Sequence, residues 1–418
     1  MKELLLSLSA LLLCCAAAAQ EAAEERVPPA VEVMIPADWA NRDRDLVLLT
    51  DGPADWEAAR GAALLSGSPW RWGVDAEAFF RNAEYFLPYT RGYTATGFFL
   101  RPYAVRQVGS HARLLLGAHL AGVAGADGLR QWKPLARLEY SPHPNLRLIM
   151  GSLYGNLSHG LLEAVFDRER YVYDRQEEGV QLLMAFPMGR CLLRSDVWLH
   201  WEELLEPWQP AQERFTLGMS NHLRLAGWES PSGAAAWGVA VPWSFLGCHR
   251  GGQFSALDTC VQSLFNETVG LRLSCVARGR FAVLVDLPLL FYQDVSPQKC
   301  LPFDRGWACW PQAACDVALS RGRRPSRWLG GWRARLHLGY WYGSRFVAPR
   351  GSYLFQSVSW HDAQFVAPER EMLTGRVALE NRVGRWALGV DAQFYIDRRV
   401  EGPEDMDVAY GLYMRCAL

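Results

Sequence analysis

Strict alternation of apolar and polar residues, sustained for about ten positions at a time, restricts the fold of this chain more than any other feature. Trp332, Ala334, Leu336, Leu338, Tyr340 and Tyr342 fall on one face of such a run, opposite Arg333, Arg335 and His337. Trp386, Leu388, Val390, Ala392, Phe394 and Ile396 oppose Arg385, Gly389, Asp391 and Gln393. Leu193, Val197, Leu199 and Trp201 oppose Arg194, Asp196, His200 and Glu202. A period of two places successive side chains on opposite faces of a β-strand. No helical block competes with it. The best internal apolar run, Phe281 to Phe291, contains Asp286 and Pro288 and falls short of the roughly 18 residues a spanning helix needs.

A soluble sandwich would also alternate, so other signals have to choose the architecture. The polar faces carry Arg, His and Asp around Gly, which suits a wet lumen, and Trp or Tyr stands near run ends, where interfacial belts sit. The 418 residues include 18 Trp, 15 Tyr, 18 Phe and 37 Gly, a ring- and glycine-rich mixture typical of β architectures. Runs after Trp70 number roughly 14 to 16, within the even-numbered range of outer-membrane barrels. The expected fold is an all-β, antiparallel transmembrane β-barrel over 70–418.

Two segments precede it. Residues 1–19 have Lys2, an apolar run from Leu4, and Ala17-Ala18-Ala19 before Gln20, the pattern of a cleaved secretory signal peptide. Residues 20–69 are acidic and proline-bearing and read as an N-terminal periplasmic segment. Export and a barrel together predict an outer-membrane location, with membrane lipid as a partner. Lys and Arg total 43 against 44 Asp and Glu, so nucleic acid is excluded as a partner for lack of a basic excess.

No cofactor or metal motif is present. Of ten Cys, Cys14 and Cys15 lie in the leader; the other eight form no C-x-x-C pair, and no His pair has zinc spacing. Cys300, Cys309 and Cys315 cluster in one Pro- and Trp-rich stretch, so a disulfide within that cluster is expected in an oxidising compartment.

The richest polar stretch is GSLYGNLSHGLLEAVFDRERYVYDRQEEG, residues 151–179, which holds His159, Glu163, Arg168, Arg170, Arg175 and Glu178. It is the candidate constriction of a lumen whose wall also includes Arg194, Asp196, Glu202, Arg333, Arg335 and His337. An enzyme reading would pair Glu177 with Glu178, or Ser158 with His159. Sequence neighbours on a strand point to opposite faces, so neither pair converges there. Arg recurs on the polar faces, at Arg113, Arg137, Arg147, Arg272, Arg376 and Arg415 besides those named, with fewer carboxylates beside it. That imbalance implies a weak preference for anions.

The same stretch, with FFRNAEYFLPYTRGYTATG before it and EEGVQL and DVWLHWE after it, resembles a group of porin-like outer-membrane β-barrels of Bacteroidota. Asn82, Glu84, Tyr85, Gly155, His159, Gly160, Glu163 and Glu178 match in order, over about the N-terminal half of the barrel. The resemblance carries no substrate over; the barrel and its polar inner faces lead to the expectation of a porin-like channel for passive passage of small solutes, not an enzyme, with homo-oligomerisation left open. Two alternatives stand beside it. One is a barrel-embedded enzyme acting on lipid or glycan through His159, Glu163 or Glu178; the other is a soluble secreted carbohydrate-binding β-protein.

Overall fold

The computed structural model describes residues 70–418 except 110, 144, 190, 205–211, 230–234, 253–260, 278–280, 320–331, 360, 363, 384, 401–405 and 418. The segments expected to be a signal peptide and a periplasmic extension lie outside the described residues.

Alternation becomes strands throughout. In chain order they are β1 (Arg71–Glu84), β2 (Tyr93–Val108), β3 (Ala112–Val123), β4 (Gln131–His143), β5 (Leu146–Ser152), β6 (Glu178–Met188), β7 (Cys191–Glu203) and β8 (Arg214–Glu229). There follow β9 (Ala235–Arg250), β10 (Gln262–Ala277), β11 (Phe281–Asp294), β12 (Arg305–Cys309), β13 (Gln312–Ala318), β14 (Trp332–Ser344), β15 (Glu369–Val383), β16 (Trp386–Asp397) and β17 (Asp407–Ala417). Each pairs antiparallel with its neighbours. β12 and β13 both lie between β11 and β14, so they are halves of one strand, interrupted where Pro311 removes a backbone donor. β1 pairs with β2 on one side and with β17 on the other, from Asp75↔Ala417 to Glu84↔Val408. The result is a closed barrel of 16 strands with almost no helix.

Closure satisfies every strand edge, which is the condition for a sheet to sit in hydrocarbon. The outward positions complete that picture. Leu138, Met150, Val269, Leu271, Leu287, Leu338, Val377, Val390 and Leu412 all expose their side chains. Aromatic residues bound this band: Trp72, Trp237, Phe281 and Trp386 at one end, Trp132, Trp201, Phe291, Trp307 and Tyr410 at the other. On β11, Phe281 and Phe291 stand about 33 Å apart along the strand, or about 25 Å along the axis at a usual tilt, the height of a lipid-facing belt. The chain is an outer-membrane β-barrel in contact with membrane lipid.

Connections at one end are mostly short, as at 109–111, 144–145, 189–190 and 384–385, with 319–331 the exception, while the two longest, 153–177 and 345–368, lie at the other. Short turns mark the periplasmic end and long loops the extracellular end. The two longest loops fold inward and dock on each other, with Asp167 N–H donating to Arg350 O at 2.7 Å and Ser352 N–H to Glu163 O at 3.0 Å. Their apolar residues, among them Val165, Phe166, Phe346, Leu354 and Phe355, join Trp198, Leu246, Leu290, Trp310 and Trp341 of the wall in one buried cluster. The barrel therefore carries a hydrophobic core inside its extracellular half. Arg370, fully buried, ties the 345–368 loop down by donating to Gln356 O at 2.5 Å and Leu354 O at 2.8 Å, with Asp397 at 2.7 Å.

The expected disulfide inside the Cys300 cluster is corrected. Cys300 is disulfide-bonded, but Cys309 and Cys315 are free thiols. They belong to β12 and β13, where the strand ladder fixes their backbones away from a loop partner.

Candidate functional site

Inside the barrel, the 153–177 loop delivers its polar residues to the wall. Asn156–His159 forms a single 3-10 turn closed by Gly160 in the left-handed conformation (φ 65°). The turn drives His159 between two carboxylates, with Nδ1 at 2.9 Å from Asp196 Oδ2 and Nε2 at 2.8 Å from Glu177 Oε2. The ring stacks on Trp198, with centroids 3.6 Å apart and an interplanar angle of 9°. Gly218, paired with Trp198 across β8, makes room for that indole: a Cβ there would meet the ring at 2.1 Å. Burial on its own would discharge His159, but Asp196 and Glu177 outweigh it and push its pKa up to about 9. Glu177 is likewise penalised by burial, yet its neighbour His159 holds it down to about 2. His159 is thus a buried cation with both nitrogens engaged. It has no lone pair to offer a substrate.

The other interior candidates are also paired. Glu163 accepts from Tyr395 Oη at 2.8 Å and lies 3.6 Å from Arg168. Arg170 bonds Asp174 at 2.6 Å, one turn along the short helix α1 (Arg170–Tyr173). Arg175 reaches Glu77 at 3.2 Å and covers the rings of Phe99 and Tyr171. Glu178 opens β6, exposed, and accepts from Gln176 Nε2 at 2.9 Å. Glu202 accepts from Thr216 at 2.5 Å and holds Arg350 of the 345–368 loop. Asp316 takes Arg333 at 3.0 Å and Arg335 at 2.8 Å, while His337 Nε2 meets Gln312 at 2.6 Å. Arg194 lies on the same inward row of β7 as Asp196, half-buried. Ser158 donates to the carbonyl oxygens of Tyr154 and Gly155, not to His159.

The expectation of a cationic wall is corrected by the same pairing. Arg113 meets Glu139 at 2.5 Å, Arg272 meets Asp286 at 2.7 Å, Arg376 meets Asp391 at 3.0 Å, and Arg415 meets Glu77 at 3.2 Å. Asp286 and Asp316, inward on β11 and β13, and Glu169 of the loop, which holds Arg81, supply the carboxylates the strand faces seemed to lack. Among the described residues, no three His, Cys, Asp or Glu side chains converge as a metal site.

A different arrangement stands on the outer wall at the extracellular rim. His249 near the end of β9 and Ser263 near the start of β10 are direct cross-strand partners. Their neighbours Cys248 and Leu264 pack on the interior cluster, so His249 and Ser263 face outward. Both are half-buried. His249 Nδ1 lies 2.9 Å from Ser263 Oγ, and Nε2 lies 2.6 Å from the carbonyl oxygen of Gly251. A carbonyl only accepts, so Nε2 carries a hydrogen, and in the neutral ring Nδ1 offers its lone pair to the Ser263 hydroxyl. Gly251 takes φ 103°, in the region that favours glycine, and this turn aims its carbonyl back at the ring. Ser263 is held through its backbone, its N–H donating to Ser296 Oγ at 2.9 Å and its carbonyl accepting from Val295 N–H at 2.9 Å. Outward rings flank the pair: Trp201 stacks on Phe215 at 5.3 Å, Phe215 lies 5.0 Å from His249, and Phe245 lies 5.4 Å from Phe265.

A hydroxyl, an imidazole bonded to it and an acceptor that orients the imidazole are the elements of nucleophilic acyl transfer. The sequence shows no trace of this grouping, because His249 and Ser263 stand 14 positions apart and meet only through the β9–β10 register. The usable signal is weak: a His and a Ser at matching distances from a loop between two alternating runs.

A family model described as lipid A 3'-O-deacylase-type matches residues 66–418. No curated protein matches the chain. Among solved structures, the chain resembles a loop-deleted OmpT of Vibrio cholerae (9% identity, 84% of this chain and 100% of that one, TM-score 0.46). It also resembles OccAB4 of Acinetobacter baumannii (10%, 85% and 99%, TM-score 0.45). OccK2 of Pseudomonas aeruginosa, solved with glucuronate, is similar too (11%, 84% and 98%, TM-score 0.45). The family match overturns the expectation of a non-enzymatic protein and replaces the resemblance to porin-like barrels, because the matching family is one of deacylases. The chain belongs to the lipid A 3'-O-deacylase-type family.

Proposed function

We propose that this barrel is an acyl-ester hydrolase acting on an acylated glycolipid of the outer leaflet, with Ser263 as nucleophile and His249 as general base. The observation that carries the reading is the bonded Ser263–His249–Gly251 arrangement facing outward at the rim, where lipid esters lie. Family membership supports the reaction class. The filled extracellular half of the lumen favours work on the outer wall over passage through the interior.

In the first step Ser263 Oγ attacks the ester carbonyl while its proton passes to His249 Nδ1. The ring then carries a positive charge, steadied through Nε2–H by the Gly251 carbonyl. The tetrahedral intermediate collapses, the ester C–O bond breaks, and the departing sugar oxygen takes the proton from Nδ1. Water, deprotonated by the same nitrogen, releases the acyl group from Ser263. The aromatic strip of Trp201, Phe215, Phe245 and Phe265 offers apolar surface to the chain being removed.

The test is fatty-acid release from an acylated glucosamine disaccharide by the reconstituted barrel. Ser263→Ala and His249→Gln should each lower kcat by about a thousandfold or more. Unchanged release by Ser263→Ala would reject this site. His159→Gln, in contrast, should retain turnover.

A further inference from the structure

A groove opens on the outer wall beside the Ser263–His249 pair, with a volume of about 620 Å³. Its floor is Phe265, Phe291 and Trp307, outward residues of β10, β11 and β12, and its polar margin is Glu267, Arg305 and Arg345. Phe265 is two positions from Ser263 on the same face, about 7 Å away, and Arg305 lies two strands across, about 10 Å further round the wall. Groove and dyad form one continuous outward surface.

The charges are not balanced as they are inside the barrel. Glu369, also in the groove, is bound by Arg399. Arg305, Arg345 and Glu267 are all exposed and make no side-chain ion pair with any described residue. Arg345 is moreover held in place. It is the non-glycine residue with positive φ among those described, at 53°, and its N–H donates to Pro368 O at 2.6 Å. Gly306 allows the close approach, since a Cβ there would meet Arg345 O at 2.0 Å. A non-glycine residue in this conformation costs energy that the surrounding structure must offset, and such positions gather at ligand sites.

We propose that this groove binds a phosphate on the sugar head of the membrane glycolipid, clamped by Arg305 and Arg345 while Phe265, Phe291 and Trp307 cover the apolar side of the head. Guanidinium forks match phosphate geometry, and the partly apolar surroundings strengthen the pairing. The proposal rests on the hydrolase reading for its substrate, but it concerns recognition, not turnover. The bound phosphate would fix the sugar laterally and set which ester lies over Ser263.

Binding in the Ser263→Ala full-length barrel separates recognition from catalysis. The probes are two short-chain diacylated glucosamine disaccharides, identical except for one phosphate monoester, with inorganic phosphate as competitor. The phosphorylated probe should bind about tenfold more tightly than the other, the effect of one charge-assisted contact. Arg305→Gln with Arg345→Gln should erase that difference. Glu267→Gln should tighten the phosphorylated probe, a gain that misfolding cannot imitate. Equal affinity for the two probes, discrimination that survives in the double variant, or inorganic phosphate competing as well as the lipid would each overturn the proposal. Failure of wild-type turnover, measured separately, would reject the hydrolase reading and leave these binding results intact.

Discussion

Across the β9–β10 pair, His249 Nδ1 lies 2.9 Å from Ser263 Oγ, and both side chains face away from the lumen. That single relationship separates two histidines with opposite chemistry. His159 sits inside, stacked on Trp198 and bonded at both nitrogens by carboxylates, where it serves as a structural cation. His249 is oriented by a neutral carbonyl, and in the neutral ring its other nitrogen presents a lone pair to Ser263 Oγ.

The interior histidine gives a pH signature. Its folded pKa of about 9 stands above the unfolded value near 6.5, so its contribution is complete below pH 6.5 and disappears as pH rises through about 9. A shift of that size corresponds to about 3 kcal/mol. Unfolding midpoints of the wild type and His159→Gln should differ most at pH 6 and converge by about pH 10. A gap that is constant or that widens with pH would contradict the assignment of His159 as a cation.

The lipid band gives a depth signature. Leu338 and Val390 point outward from the middle of β14 and β16, so Leu338→Arg or Val390→Arg should each cost about 2 to 4 kcal/mol. Val366→Arg, on the exposed extracellular loop, should cost less than about 0.5 kcal/mol. Folding titrations into lipid vesicles measure both, and equal losses would refute the register.

Thiol state gives a third. In protein isolated from the envelope without reductant, mass spectrometry should find Cys300 oxidised and Cys309 and Cys315 alkylatable. A bond between any two of Cys300, Cys309 and Cys315 would contradict the strand assignments of β12 and β13.

Period-two alternation made the barrel legible, because one pleat fixes which residues meet lipid: Leu336 and Leu338 against Arg335 and His337 needed no long-range information. The charge density of the 151–179 stretch was visible in the sequence. Its geometry was not, since His159 finds Asp196 through a loop that leaves the wall and returns into the lumen. The outer-wall site was hidden for a related reason. A cross-strand pair is created by register, and the alternation around Ser263 and His249 marks faces without saying which position on the next strand lies opposite. The lumen charge was not legible from the strand faces alone, because Glu169 of the loop neutralises Arg81 of the wall, 88 positions away in sequence.

The central claim is that a serine on the outer wall is an activated nucleophile, and covalent labelling tests it most directly. The reconstituted barrel would be treated with a lipophilic fluorophosphonate and mapped by peptide mass spectrometry. The account predicts a single phosphonylated residue, Ser263, formed with loss of acyl hydrolysis in proportion, and labelling slowed at least about a hundredfold in His249→Gln. Labelling of a different serine, or full acyl release by protein whose Ser263 is unmodified and replaceable by Ala, would contradict it.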